Sequence, residues 1–211
     1  MTRPRLLDAF CGAGGCSVGY HRAGFDVVGV DNRPMPRYPF EFHQADALEF
    51  IAEHGREFDV IHASPPCQAY SVTRSLHNNE HPDLVGATRD ALRATGKPYV
   101  IENVPGAPLK NYVILCGTMF GLLVVRHRWF ECEPAILMAP RACDHWGHVA
   151  PKGTFCTFGN GADYLTVTGG NFLIDEARTA MGIDWMTCDE LSQAIPPAYT
   201  QWLGTRLLEA L

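Results

Sequence analysis

Short apolar runs alternate with helix-like segments through the first hundred residues, and this alternation constrains the fold more than any other feature. The runs cover residues 5–10, 25–30, 40–44, 58–63 and 98–101. Apolar runs separated by helices are typical of parallel strands that are buried on both faces. The sequence therefore predicts an α/β protein with a mostly parallel, doubly wound sheet that carries helices on both faces.

The rest of the chain adds two strands and an irregular segment. Strands are predicted at 113–116 and 124–130, and helices at 17–23, 47–54, 84–95, 175–182, 188–194 and 198–211. Residues 131–171 are rich in Gly, Pro, His and Cys without clear periodicity. About 40 residues are too few to build an independent core. We expect one domain, formed by 1–130 and 172–211, with a loop-rich segment at 131–171.

Polar and small residues are concentrated where the predicted strands end. They occupy residues 8–15, Asp31, Asp46, residues 65–68 and residues 102–104. In a doubly wound sheet, ligands bind at the carboxyl ends of the strands. Packing alone does not account for this concentration, so the sequence predicts a binding site at this edge.

A glycine-rich turn follows the first predicted strand. Gly12, Gly14 and Gly15 let backbone approach a ligand closely, although a merely tight turn explains them equally well. The pattern is not GxGxxG, which disfavours a nicotinamide dinucleotide. Asp31 suits a carboxylate that accepts hydrogen bonds from ribose hydroxyls, or else a solvated loop acid. Asp46 stands where a helix N-cap is expected.

Four further side chains suggest chemistry. Cys67 follows two prolines, and rigid presentation suits a nucleophile, although an inert cysteine is the commoner case. Glu102 ends the next strand, where desolvation would raise its pKa; the alternative is an ordinary ion pair with an arginine. Arg126 and Arg128 alternate on a predicted strand, so both would point the same way. They could bind a phosphate or a carbonyl, or form a solvated face.

Taken alone, the net charge of −6 argues against a nucleic-acid partner, because such a partner usually requires a basic surface. Residues 161–211 alone hold seven acidic and two basic side chains, so the remainder is nearly balanced. The overall charge therefore decides nothing about nucleic acid.

The eight cysteines form no CxxC pair. The chain start lacks the apolar stretch of a signal peptide, and no apolar run reaches the roughly 20 residues of a membrane span. We expect free thiols, a cytoplasmic location and no membrane partner.

A bound zinc ion could stabilise the irregular segment. The candidate ligands are Cys132, Cys143, His145, His148 and Cys156. Their spacings match no common zinc pattern, so no metal is predicted.

Five segments in order, DAFCGAGG, SPPCQAYS, ENV, RHR and QAIPPAY, resemble those of the DNA (cytosine-5)-methyltransferases. The likeness is greatest to short members from bacteriophages and actinobacteria. It implies a Rossmann-like fold that uses S-adenosylmethionine and releases S-adenosylhomocysteine. It also implies that 1–130 and 172–211 form the catalytic domain, and that 131–171 is a much reduced target-recognition segment. The implied partner is double-stranded DNA, bound by a monomer at a short target. Restriction-modification is one implied setting.

The resemblance also implies roles for individual residues. Cys67 would attack carbon 6 of a flipped-out cytosine, and Glu102 would hold the ring nitrogen and amino group. Arg128 would contact the cytosine carbonyl, while Arg126 would support Cys67 or a phosphate. The implied cofactor-binding residues are Asp8, Phe10, Cys11, Gly12, Gly14, Gly15, Asp31, Asp46, Pro66 and Gln193. The candidates for contact with DNA are Gln68, Ser71, Asn103, Arg141 and Lys152.

The sequence departs from the family pattern at two places. Val124 stands where the family usually has glutamine, and Ser192-Gln193 replaces its usual Gly-Asn. Three other interpretations stay open. A tRNA cytosine-5 methyltransferase would share the Cys and Glu chemistry, and a non-catalytic DNA-binding relative would keep the fold without turnover. A nucleotide oxidoreductase is disfavoured by the missing GxGxxG.

Overall fold

A seven-stranded mixed sheet forms the centre of the molecule. The computed structural model describes residues 2–66, 84–136, 138–147, 149 and 156–211. The strands are β1 (Arg5–Ala9), β2 (Asp26–Asp31), β3 (Glu41–Gln44), β4 (Val60–Ala63), β5 (Tyr99–Asn103), β6 (Tyr112–Leu115) and β7 (Arg128–Glu133). Their order is β3-β2-β1-β4-β5-β7-β6. Strands β1 to β5 pair in parallel, and β7 runs antiparallel to both β5 and β6.

Six α-helices accompany the sheet in the described part of the chain. They are α1 (Gly15–Ala23), α2 (Ala47–His54), α3 (Leu84–Thr95), α4 (Ile174–Met181), α5 (Cys188–Gln193) and α6 (Pro197–Leu208). Neighbouring strand residues alternate between the two faces of the sheet. Leu6 packs in one apolar cluster with side chains of α1 and α6, while Leu7 packs in the other with side chains of α2 and α3. The predicted α/β sheet with helices on both faces is therefore confirmed.

The strand predicted at 124–130 is wrong in its first half, because β7 begins only at Arg128. The preceding residues form a bridge to a distant part of the chain instead. Val125 N donates to Leu165 O over 2.9 Å, and Val124 is fully buried. Arg126 therefore precedes the strand, and the argument that Arg126 and Arg128 alternate on one strand does not hold.

The irregular segment packs through its C-terminal part. Leu165, Val167 and Phe172 form a third apolar cluster with α4 and with Leu191 of α5. Strand β7 extends to Glu133, so residues 131–133 belong to the sheet and the irregular segment begins after them. None of the helices in the described residues has the length and apolar character needed to cross a membrane.

Helices α1 and α6 approach each other closely at Gly19. A Cβ atom at this position would overlap Thr200 Oγ1 and the carbonyl oxygen of Pro197. Thr200 Oγ1 also donates to the carbonyl oxygen of Cys16 over 2.8 Å. This contact fixes α6 against the helix that follows the glycine turn.

Candidate active site

The carboxyl ends of β1, β4 and β5 meet at one edge of the sheet. Ala9 pairs with Ala63 in the parallel register, and Ala63 pairs with Ile101. Because β7 is antiparallel, its first residues lie at the same edge, where Trp129 pairs with Asn103. The topology therefore brings the glycine turn, the Ser64-Pro65-Pro66 segment, Glu102 and Arg128 to one place.

Glu102 is a buried carboxyl group beside an arginine. Its side chain is 8% exposed, and Oε1 lies 3.0 Å from Arg128 Nε. Burial raises the pKa of Glu102, and the opposing effects of Arg128 and a hydrogen bond with Ser64 do not cancel that rise. Among the described residues, Oε1 accepts no hydrogen bond of regular geometry. Glu102 can therefore hold a proton beside the Arg128 guanidinium.

Asn103 positions the segment that leads to Cys67. Its Nδ2 donates to Pro65 O over 3.0 Å, and its Oδ1 accepts from Val104 N over 2.9 Å. The side chain is 1% exposed. The buried amide therefore holds the Pro65 backbone in place. The predicted contact of Asn103 with DNA stays a prediction. Cys67 itself lies outside the described residues.

Arg126 is another buried side chain that bonds to backbone. The Arg126 guanidinium donates from Nη1 to the carbonyl oxygen of Val167 over 2.5 Å and from Nη2 to the carbonyl oxygen of Ser192 over 2.8 Å. The side chain is buried, and Tyr199 Oη donates to the carbonyl oxygen of Arg126 itself. Arg126 joins three segments of backbone. Its predicted contact with Cys67 or a phosphate stays a prediction, because Cys67 lies outside the described residues.

The glycine turn presents backbone and a carboxylate at the end of β2. Gly12 has φ 51° and open space where a side chain would lie, and its N–H donates to Asp31 Oδ2 over 3.1 Å. Arg33 N donates to the other oxygen, Asp31 Oδ1. Phe10 beside the turn also has a positive φ, 57°. A fixed carboxylate retains lone pairs for further donors, so this corner suits hydroxyl groups of a nucleoside.

Three other residues predicted to bind a cofactor have structural contacts, and their role toward a cofactor stays a prediction. A side chain at Gly14 would press on Pro39, and one at Gly15 on the carbonyl oxygen of Ile195, so both glycines serve close packing. Asp46 caps α2 by accepting from Leu48 N and Glu49 N, which confirms the N-cap alternative. Pro66 and Gln193, which are also predicted to bind the cofactor, are exposed.

Asp8 lies beneath the turn and does not reach its surface. The carboxyl group is fully buried, with Ser17 Oγ donating to Oδ2 and Ser17 Oγ lying 2.8 Å from Tyr38 Oη. Burial raises the pKa of Asp8 to about 7, against the lowering effect of the Ser17 hydrogen bond. These contacts support the turn, and the predicted contact of Asp8 with a cofactor stays a prediction. Sequence reasoning missed Ser17 and Tyr38, which follow no motif.

Two cysteine thiols lie buried near the site, those of Cys11 and Cys16. The seven described cysteines are free, as predicted. Burial is the main cause that raises the pKa of both Cys11 and Cys16, so both stay protonated. A protonated, buried thiol is a poor nucleophile. Neither of these neighbours competes with Cys67 as the predicted nucleophile.

Comparison with known proteins shows the family. A model of the C-5 cytosine-specific DNA methylases matches residues 5–111, just over half of the chain. The chain belongs to the C-5 cytosine-specific DNA methylase family. It is 34% identical over 124 residues to the type II methyltransferase M.XorII of Xanthomonas oryzae pv. oryzae, covering 50% of this chain and 29% of that protein. It is 27% identical over 124 residues to M.AquIA of Picosynechococcus, covering 48% and 49%. The chain thus spans half or less of the length of these relatives.

Solved structures share the fold of this methylase-family chain. The Entamoeba histolytica methyltransferase EhMeth gives a TM-score of 0.65 at 15% identity, covering all of this chain and 99% of the other. The S. pombe Dnmt2 methyltransferase gives 0.62 at 13% identity, covering 99% of each chain. The predicted Rossmann-like methyltransferase fold is confirmed.

The two departures from the pattern of the methylase family have structural counterparts. Val124 is fully buried in the third apolar cluster, where its bridge partner is Leu165. An apolar side chain suits that environment. The carbonyl oxygen of Ser192 accepts from Arg126, while Gln193 is exposed at the end of α5. The backbone at this departure therefore supports the arginine segment.

The residues predicted to read DNA are tested only in part. Gln68, Ser71 and Lys152 lie outside the described residues. Arg141 is exposed, and its NH2 donates to the carbonyl oxygen of Thr118. This bond anchors Arg141 against the turn after β6, and its contact with DNA stays a prediction.

Proposed function

We propose that this methylase-family chain transfers a methyl group to carbon 5 of a flipped-out cytosine in duplex DNA, through a covalent bond to Cys67. One observation carries the proposal. The buried Glu102 carboxyl group, paired with Arg128 at 3.0 Å, lies at the strand edge beside the Ser64-Pro65-Pro66 segment that leads into Cys67. A nucleophile, a proton-holding acid and a cation at one strand edge suit covalent attack on a polar ring.

The methyl donor proposed is S-adenosylmethionine, which supplies an electrophilic methyl group when bound. The corner formed by Gly12, Phe10 and Asp31 fits its nucleoside part, because open space adjoins Gly12 and the Asp31 carboxylate is held at the strand end. The backbone N–H of Gly12 fixes the orientation of that carboxylate. Asp46 is proposed to face the adenine, in addition to its capping role.

Cys67 performs the first step of the proposed reaction. Carbon 5 of cytosine is a poor nucleophile, and addition of the Cys67 thiolate to carbon 6 moves electron density onto carbon 5. Carbon 5 would then take the methyl group that bound S-adenosylmethionine supplies, with the sulfur–methyl bond breaking as the carbon–carbon bond forms and S-adenosylhomocysteine left behind. Loss of the carbon-5 proton and expulsion of the thiolate restore the aromatic ring and the free Cys67. A target inside stacked duplex is out of reach, so the base is extruded into the pocket.

Glu102 and Arg128 stabilise the ring during that attack. A protonated Glu102 donates to the ring nitrogen, which lowers the cost of adding the thiolate at carbon 6. Arg128, held beside Glu102, is proposed to donate to the cytosine carbonyl. Its own NH1 donates to the carbonyl oxygen of His127 over 2.9 Å, which restricts the orientation of the guanidinium.

The domain organisation follows from the same proposal. The sheet, with α1 to α6, forms the catalytic domain, and the irregular segment after β7 forms a reduced target-recognition segment. Its exposed residues, including Arg141, are proposed to face the duplex. Local contacts of this kind serve in place of a strongly basic surface, and binding is expected to weaken steeply with added salt.

A mechanism-based trap tests the covalent step. Duplex DNA with 5-fluorocytosine at the target blocks loss of the carbon-5 substituent, so the enzyme should stay bound to DNA under denaturing conditions when S-adenosylmethionine is present. The adduct should vanish in Cys67→Ser and persist in Cys188→Ser, which alters a cysteine at the start of α5. Absence of both adduct and methyl transfer in the wild-type protein would contradict the proposal.

The substrate is tested by supplying labelled methyl donor with duplex DNA or with tRNA in parallel reactions. Transfer to DNA with little transfer to tRNA supports the proposal. Transfer to tRNA alone would keep the cysteine chemistry and overturn DNA as the substrate.

A further inference from the structure

Four potential metal ligands from three parts of the chain converge beside the arginine segment. Cys116 directly follows β6, His127 directly precedes β7, and Cys143 and His145 belong to the irregular segment. The ligand atoms of all four lie within 4.8 Å of one another. Two thiols and two imidazoles form a ligand set that suits Zn²⁺.

The distances between these atoms resemble the edges of a tetrahedron around zinc. Zn–S bonds of about 2.3 Å and Zn–N bonds of about 2.0–2.1 Å place neighbouring ligand atoms roughly 3.3–3.8 Å apart. Cys116 Sγ lies 3.3 Å from His145 Nε2, and Cys143 Sγ lies 3.4 Å from His127 Nε2. The third pair, Cys143 Sγ and His145 Nε2, is 2.7 Å apart and would open by less than about 1 Å.

The contacts around the four side chains also fit a zinc site in which protein ligands fill all four positions. The rings of His127 and His145 meet edge-on, with centroids 5.0 Å apart, so they do not stack in the space between the sulfur atoms. Thr118 Oγ1 lies 3.5 Å from Cys143 Sγ and donates to Cys116 Sγ over 3.7 Å. A hydroxyl group that bonds to ligand sulfurs is the kind of outer contact that orients metal ligands.

We propose that Cys116, His127, Cys143 and His145 bind a structural zinc ion. Four protein ligands leave no open position, which is typical of structural rather than catalytic zinc. His127 lies between Arg126 and Arg128, so the ion fastens the Cys143–His145 stretch of the irregular segment to the arginine segment. A segment too short for its own core gains a fixed attachment in this way. The proposal does not depend on the proposed methyl transfer.

These ligands differ from the set considered in the sequence. Cys132 is buried in β7, and Cys156 Sγ accepts from Thr166 N, so neither joins the cluster. His148 lies outside the described residues. Cys116 and His127 were missed because ten residues separate them and fifteen more precede Cys143. The folded sheet brings them together, and no short spacing pattern does so.

Metal analysis of the purified chain tests the proposal. Protein expressed with added zinc should contain about one zinc per chain. Cys143→Ser and His145→Ala should each lose most of it, and His145 is exposed, so its replacement disturbs no core packing. Cys188→Ser is the matched control and should retain the metal. Wild-type protein without stoichiometric metal, or full retention in both ligand variants, would overturn the proposal.

Cobalt substitution gives a second measurement that needs no variant. Replacing the metal of the wild-type chain with Co²⁺ should produce strong visible bands of a tetrahedral site and thiolate-to-cobalt charge transfer in the near ultraviolet. Removal of the metal with a chelator should lower the melting temperature. A weak octahedral spectrum without charge transfer would contradict the proposed ligands.

Discussion

Glu102 is buried beside the Arg128 guanidinium, and the balance between burial and this charge sets the pKa of its carboxyl group. Desolvation favours the neutral carboxyl group, whereas Arg128 favours the carboxylate. The raised pKa shows that desolvation prevails. Glu102 can therefore be protonated at a pH where an ordinary glutamate is ionised, as its proposed donation to a cytosine ring nitrogen requires.

Replacement of this carboxyl group tests its role. Glu102→Gln keeps the size of the side chain but removes the acidic, titratable proton. We expect single-turnover methyl transfer to fall by about 10²–10⁴-fold, the usual worth of general acid–base catalysis. Binding of S-adenosylmethionine, measured by calorimetry, should change little.

The pH dependence of methyl transfer by the wild-type protein tests the same role of the Glu102 proton. Transfer should decline as pH rises through the raised pKa of Glu102, because the carboxyl group loses the proton that it donates. That decline should be absent from the residual activity of Glu102→Gln. An identical decline in both proteins would show that another group causes it.

His62 gives a prediction about acid stability. It is fully buried between Tyr20 Oη and Ser64 Oγ, each 2.9 Å from a ring nitrogen, and burial lowers its pKa from 6.5 to about 3. Between these values the unfolded chain binds a proton that the folded chain does not. Stability is therefore lost as pH falls through this window, by up to about 1.4 kcal/mol per pH unit.

Denaturant unfolding of wild type and His62→Gln at several pH values checks this. The wild-type free energy of unfolding should fall more steeply toward acid than that of the variant. Parallel slopes would mean that His62 does not cause the loss. Asp8, with its raised pKa, acts in the opposite direction in both proteins, so the difference isolates His62.

Single residues were predictable from the sequence where a motif surrounds them. Glu102 and Arg128 were assigned to one site, and the sheet places them in contact. Asn103 and Arg126 lie in the same motifs, yet their side chains bond to backbone. A motif identifies positions near a site, but contact with a ligand depends on which way a buried side chain points.

At the scale of elements, the close contact between α1 and α6 at Gly19 allows a direct test of how these helices pack. Gly19→Ala introduces a methyl group where Thr200 Oγ1 and Pro197 O already lie. The backbone of α6 has to move, so we expect a loss of about 1–3 kcal/mol in the free energy of unfolding. Gly86→Ala is the matched control in α3, since a Cβ there meets no atom within 4 Å. Equal stability of the two variants would contradict this packing.

A buried ion pair joins α3 to β7. Arg89 donates to both carboxylate oxygens of Glu131 over 2.7 Å, and Lys110 N donates to the same carboxylate. The two side chains are 8% and 5% exposed. Removal of one partner leaves a buried charge, which usually costs about 3–5 kcal/mol.

Arg89→Met should therefore lower the free energy of unfolding by an amount in that range, measured by urea denaturation. Arg93 is exposed one turn further along the same helix, where its charge also acts on Glu131, so Arg93→Met should change the free energy of unfolding by no more than about 1 kcal/mol. Similar effects of the two substitutions would contradict the account of this pair.

Elements with local signals were predicted to the residue. Helix α2 begins at its Asp46 cap, and α3 spans the residues that its apolar period marks. The strand before Arg128 was wrong because Val124 and Val125 pair with Leu165, about 40 positions further along. No local signal shows that a β-branched run will form a single bridge and then stop.

At the scale of the whole molecule, three segments distant in sequence meet around the arginine segment. Arg126 reaches Val167 and Ser192, while His127 joins the cluster of Cys116, Cys143 and His145. The irregular segment is thus attached to the strand edge that bears Glu102 and Arg128 at two points. The sheet was predictable from its apolar runs, but these attachments depend on long-range contacts that a sequence pattern does not carry.

The central claim is that this chain methylates carbon 5 of cytosine in DNA. Bisulfite sequencing of the genome of a bacterial host, lacking its own cytosine methylation, tests it most directly after expression of the wild type or of Cys67→Ser. We expect protected cytosines at one short, recurring sequence with the wild-type protein and none with the variant. Folded wild-type protein that leaves every genomic cytosine unprotected, or equal protection by Cys67→Ser, would contradict the claim.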